Sequence, residues 1–150
     1  VSPPILALIE YIVNGLADRV SLEVFEQLSS DEWDHLTITA IALGLAPLLH
    51  WRLAQANITP PPLIMAKLGV TRQAHAKRNE AIGQQLAELL AVFEQQKIEV
   101  MVLKGALLAA TVYPEAALRP MNDIDLLFRP EDLSRVGPIL ESLGYVGKHK

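Results

Sequence analysis

The sequence has no cysteine. That excludes a disulfide framework, thiolate-bound zinc, iron–sulfur clusters and thiol catalysis, and it fits an intracellular, cytoplasmic protein. Long hydrophobic runs are also missing. The longest, Ile38 to Leu49, has twelve residues and is interrupted by Thr39, Gly44 and Pro47, whereas a membrane-spanning helix needs about 20. The amino-terminal stretch lacks a basic secretory start, and Glu10 breaks its apolar run. No membrane partner is expected. Excess positive charge is absent too: the formal net charge is −4 and the pI about 5.5. No global field attracts nucleic acid, and there is no DNA-binding signal. Walker A, G-x-G-x-x-G, H-E-x-x-H and G-x-S-x-G motifs do not occur. His35, His50, His75 and His149 are too scattered to pair on a metal.

What is present is a chain of 150 residues, 51% hydrophobic. That suffices for one ordinary domain and part of a second, with a real core. The first part reads as helical. Ile5, Leu8, Ile9, Ile12, Val13 and Leu16 follow helical spacing, and Leu22, Phe25 and Leu28 make a short second helix. Ser29 and Glu32 have the form of a capping box opening a third helix through Trp33, Leu36 and Ile41. Gly44 ends it, and Pro47 suits the first turn of a fourth helix reaching about Gln55. Thr59-Pro60-Pro61-Pro62 is the one linker-like stretch. After it come a short helix over Leu63–Leu68 and a long one, capped by Thr71, from Arg72 to about Gln96. Trp33 and Trp51 occupy apolar helix positions, and Arg72, Lys77 and Arg78 read as a solvated basic face.

The pattern then changes. Glu99–Leu103 is short, β-branched and apolar, as in a strand buried on both faces. A helix over Gly105–Val112, a strand over Asn122–Phe128, a helix over Glu131–Leu143 stopped by Gly144, and a third strand beginning at Tyr145-Val146 follow. The expected class is α+β: a helical region over residues 1–70, then a partial α/β core over 71–150.

Two acidic pairs are spaced i, i+2: Glu32/Asp34 and Asp123/Asp125. The first lies in a helix's opening turn, where acidic side chains complement the macrodipole. The second sits in an apolar strand, where period-2 geometry puts both carboxylates on one face about 7 Å apart. Two such carboxylates repel each other, and a divalent cation removes that cost. Hard oxygen ligands suit Mg²⁺, which takes one or two carboxylates together with substrate phosphates. Gly105 follows a strand and opens a helix, a place where backbone N–H groups meet phosphate. Lys104 and Arg119 can neutralise phosphate charge. Read blandly, the aspartates are a solvated strand end, Gly105 is a plain turn, and the two cations are ordinary surface side chains.

In combination these residues resemble the DNA polymerase β-like nucleotidyltransferase superfamily. Closer still, Ile98 to Leu133 is similar to a nucleotidyltransferase family whose core reads Leu-Lys-Gly, Tyr-Pro, Arg-Pro-Met-x-Asp-Ile-Asp-Leu-Leu and an Arg-Pro-Glu-Asp-Leu-like turn. Here those are Leu103-Lys104-Gly105, Tyr113-Pro114, Arg119–Leu127 and Arg129–Leu133. A looser likeness runs through Gly44–Leu49 and Arg78-Asn79. The resemblance implies a partial polymerase β-like core. Asp123 and Asp125 would be catalytic metal ligands for Mg²⁺, or Mn²⁺ in its place. Lys104, Gly105, Ala106 and Arg119 would be nucleotide-binding.

The implied reaction moves a nucleoside monophosphate from an NTP to an acceptor (protein, RNA or small molecule), with two metals bridging the triphosphate and pyrophosphate leaving. Three features depart from the pattern, one being a longer gap from Gly105 to Asp123 than in minimal members. Ala106 stands where Gly or Ser is usual, and the third carboxylate of the superfamily does not follow Tyr145. The expectation is therefore an amino-terminal fragment, itself inactive, of a longer enzyme. The alternatives are a catalytically inactive NTP-binding or protein-interaction module of the same fold, and an all-helical adaptor.

Overall fold

The structure, a computed structural model, describes residues 23–147; the helix expected over Ile5–Leu16 lies outside them, as does His149. In chain order come α1 (Glu23–Glu26), α2 (Ser30–Ala42), α3 (Ala46–Gln55), α4 (Pro62–Gln95), β1 (Val100–Leu103), α5 (Lys104–Thr111), a 3₁₀ turn at Ala116–Leu118, β2 (Asp125–Phe128), a second 3₁₀ turn at Pro130–Asp132, and α6 (Leu133–Ser142). Helices dominate and the strands make a two-stranded antiparallel sheet. The class is α+β, and the sheet removes the all-helical alternative. No helix among the described residues is long and apolar enough to cross a membrane.

The helix ends are set by local chemistry. Ser29 caps α2 through a reciprocal capping box with Glu32. Pro47 lies in the first turn of α3 and Pro62 opens α4, positions where the missing N–H costs nothing. Four helices then close in the same way. After α2, α3, α4 and α6 a left-handed residue follows: Gly44, Asn57, Lys97 and Gly144. The next N–H returns to a carbonyl in the last turn: Leu45 to Ala40, Ile58 to Leu53, Ile98 to Phe93 and Tyr145 to Leu140. These are Schellman closures, which satisfy carbonyls the helix leaves unpaired.

Three expectations about element boundaries are corrected. The two helices expected on either side of Val70 are one 34-residue helix, about 51 Å long at 1.5 Å per residue. Thr71 caps nothing; its hydroxyl donates to the Lys67 carbonyl at 2.8 Å. Gly69 costs only about 1 kcal/mol against alanine, whereas burying Ile64 and Leu68 gains about 1.5–3 kcal/mol each. The strand expected from Asn122 begins at Asp125, because β1 ends at Leu103, the register partner of Asp125, and Asn122–Ile124 have no strand to pair with. Tyr145-Val146 form no strand, since the Tyr145 N–H is spent on the α6 closure.

Helix α4 is the spine. Its amino-terminal part joins α1–α3 around Phe25, Trp33, Leu36, Leu49, Leu53 and Leu68. Its carboxy-terminal part supports one face of the sheet: Leu89 and Phe93 pack with Ile98 and with Val136 of α6, against Val100, Leu126 and Phe128. Between them, Ile82 meets Ala106, Ala109 and Met121. The sheet's other face is open. Met101 is 60% exposed and its register partner Leu127 53%. This corrects the expectation of a strand buried on both faces. Val100 and Val102 meet the helices, while a two-stranded sheet places no second layer over Met101 and Leu127.

Candidate active site

Strand β1 delivers the chain to the site. Leu103 is the last residue paired with β2, and Lys104 turns the backbone through a left-handed conformation, φ +47°, into α5. A residue with a Cβ pays for that conformation. The turn sends the Lys104 ammonium back over the end of β2, where Nζ lies 3.0 Å from Asp125 Oδ1. Gly105 also has a packing role. A methyl at this position would come within 3.3 Å of Met121 Cγ. The missing side chain lets the helix start close onto the segment that carries the aspartates. Ala106 follows with its methyl buried against that cluster.

The aspartates arrive on a loop that α4 holds in place. Asn79, only 5% exposed, donates through Nδ2 to the Ala116 carbonyl at 2.6 Å and the Arg119 carbonyl at 2.8 Å. One turn position away, Arg78 donates to Asn122 Oδ1 at 2.7 Å. Farther up the helix, Arg72 pairs with Glu115 and lies 3.5 Å from His50 Nδ1. Gly44 meets Pro120 with no side chain between them. The loop from Glu115 to Asn122 is thus tied to the helical region at both ends before it releases Asp123.

Asp123 is exposed and makes no hydrogen bond or ion pair among the described residues. Asp125 is part-buried, and its ionic partner is Lys104. Beside Asp123 opens a cavity of about 380 Å³, lined by Ile82, Gln85, Ile124, Leu126 and Phe128. That volume falls within the usual range for small-molecule sites, roughly 300–1,000 Å³. Arg119 is not brought to the carboxylates: its Nη1 donates to the Pro120 carbonyl at 3.0 Å.

Two neighbouring histidines feel the cations of α4. Burial, then the Arg72 charge, lowers the His50 pKa below its ordinary value; burial, then Arg78, does the same for His75. Both therefore stay neutral to lower pH than a free histidine. Trp33 is buried in the helical core, and the Arg52 guanidinium sits 5.0 Å from the centre of the Trp51 ring.

By ligand type, two carboxylates two residues apart fit a hard divalent cation. Asp125 already holds the Lys104 ammonium, and Asp123 has no polar partner among the described residues. Among the described residues no group of three or more His, Asp or Glu side chains could hold a metal on its own. The structure thus brings Lys104, Gly105, Ala106 and Asp125 together and leaves Arg119 turned away. The Asn79 and Arg78 tethers were not read as site residues from the sequence. Asn79 did leave a signal: it interrupts an apolar stripe that continues through Ile82, Leu86, Leu89 and Phe93. A buried polar side chain there must find partners.

Residues 29–150 match a family model described as an uncharacterised nucleotidyltransferase. The match takes in β1, the Lys104 turn, the tethered loop and the aspartates, and the chain belongs to that family. No curated protein and no solved structure gives a significant match to the chain.

Proposed function

We propose that the chain binds an NTP through a divalent cation at Asp123 and Asp125 and transfers its nucleoside monophosphate to an acceptor. One observation carries this reading. The Lys104–Asp125 contact joins a helix-opening Lys-Gly turn to the start of β2, 21 residues later, where the Asp-x-Asp segment enters the strand. This supports a reading in which N–H groups at the helix start would receive phosphate while the carboxylates would hold a cation. Asp123 and Asp125 would hold Mg²⁺ or Mn²⁺, which when bound would screen the triphosphate and favour departure of pyrophosphate. The backbone at Gly105 and Ala106 would receive phosphate oxygens, and Lys104 would add positive charge. In the transfer, the acceptor oxygen bonds to the α-phosphorus while the bond from that phosphorus to the bridging oxygen breaks. Pyrophosphate leaves with the electron pair, and the acceptor's proton passes to solvent. The protein contributes position and charge neutralisation rather than covalent chemistry.

The test is calorimetric titration of each NTP with Mg²⁺, on wild type and on an Asp123→Asn/Asp125→Asn variant. Metal-dependent binding in wild type that the variant loses is the expected outcome. Equal binding by both proteins would overturn the assignment. A second reading, NTP binding without transfer, is favoured by Ala106, which offers phosphate no hydroxyl, and by the two-carboxylate donor set. Binding in wild type with no labelled acceptor or released pyrophosphate would select it.

A further inference from the structure

We propose that Lys104 is an exchangeable cation of the Asp125 site: it holds Asp125 while the metal is absent and moves to phosphate when a metal-bound NTP arrives. This rests on the function proposed above and specifies how that site is controlled. The two carboxylates are not equivalent in the structure. Among the described residues Asp123 has no partner, and Asp125 has Lys104 at 3.0 Å. A divalent cation that uses both carboxylates brings a second positive charge to Asp125, where the ammonium already holds Oδ1, so the two cations repel and compete for that carboxylate.

Geometry makes displacement of the ammonium easy. The lysine side chain is 72% exposed against 28% for the aspartate, so water is ready to take the ammonium as it leaves. Exposed pairs of this kind are weak. The backbone supports the same reading. Lys104 adopts φ +47° although it carries a Cβ, and this conformation sets its side chain across the end of β2. A released Lys104 remains the first residue of α5, beside the N–H groups of Gly105 and Ala106. A metal-bound triphosphate is still an anion, and there it meets both the ammonium and the positive end of the helix. One side chain thus opposes metal without nucleotide and favours metal with it.

The experiment measures Mn²⁺ binding without nucleotide, by the loss of the free-ion EPR signal, in wild type, Lys104→Met and Lys104→Gly. It then measures binding of each NTP in the presence of Mn²⁺ by calorimetry. Glycine also relieves the left-handed backbone, so that variant keeps the test valid if the methionine protein folds poorly. Both variants are expected to bind Mn²⁺ alone about two- to fivefold more tightly than wild type, the range set by an exposed ion pair. Both should bind Mn²⁺–NTP more weakly. Unchanged or weaker Mn²⁺ binding in the folded variants would overturn the exchange and leave the metal site standing. Mn²⁺ binding that the Asp123→Asn/Asp125→Asn variant retains, or that all proteins lack, would overturn the metal site and the exchange with it.

Discussion

The helical region and the sheet region solve the burial problem differently. Around α2, α3 and the start of α4, the large side chains Phe25, Leu36, Leu49, Leu53 and Leu68 are essentially fully buried. Each helix brings one apolar stripe, and three such stripes close on one another. The sheet region relies on Phe93 and Leu89 beneath β1 and β2, with Phe93 and Phe128 in edge-on contact at 4.9 Å. Its other face stays open at Met101 and Leu127. A helix completes its backbone hydrogen bonds internally and needs a neighbour on one side; a strand needs another strand beside it, and an antiparallel pair can leave one face to water. The site lies at the seam, where α4 ties the loop before β2 to the helical region.

The sharpest way to break this comparison is to remove one support from each side. Phe93→Ala should cost about 3–5 kcal/mol and Leu53→Ala about 2–5 kcal/mol by urea denaturation. Hydrogen exchange should then separate them: Phe93→Ala is expected to expose amides of β1 and β2 while α2 and α3 stay protected. Uniform loss of protection would mean that the two regions open as one unit.

A smaller change tests the seam itself. Asn79→Ala removes both donors to the Ala116 and Arg119 carbonyls and should cost about 1–3 kcal/mol. If Asn79 positions the aspartates, metal–NTP affinity falls while the α2–α3 core keeps its exchange protection. A stability loss with unchanged affinity would reduce Asn79 to a packing residue.

The smallest effect is acid sensitivity. Because the folded pKa of His50 and of His75 is lowered, the unfolded chain binds more protons over the interval below the ordinary histidine pKa of about 6.5. Their contribution to stability is complete above that value and is lost as pH falls through the folded pKa. Thermal melts from pH 8 to pH 5 should show this decline, and His50→Gln/His75→Gln should flatten it. A wild-type profile that is already flat would refute it.

Much of this was legible in the chain. The capping box at Ser29, the stop at Gly44, the proline-started α3, the positions of β1 and α5, and the end of α6 at Gly144 are local events, governed by residues within a turn of one another. The family pattern over Leu103–Leu133 was equally readable, because it depends on residue order. Local signals erred where distant partners decide. Proline and threonine punctuation suggested two helices where buried Ile64 and Leu68 carry one through. An apolar stretch suggested a strand over Asn122–Phe128 where β1 ran out at Leu103. Four hydrophobic residues in a row, Val100–Leu103, suggested burial on both faces of β1, and nothing in the described fold covers Met101.

The candidate site divides in the same way. Residue type and spacing nominated Lys104, Gly105, Arg119, Asp123 and Asp125, and the family resemblance added Ala106. Sequence alone determined the kinds of chemical group, since a carboxylate, an ammonium or a glycine is fixed by residue type wherever it sits. Tertiary structure alone decided which groups meet. It pairs Lys104 with Asp125 and turns Arg119 onto Pro120. It also brings Asn79 and Arg78, from a helix more than thirty residues upstream, to hold the loop that presents Asp123. Such contacts depend on where the helix and the strand end in space, and no short-range pattern in the chain encodes that.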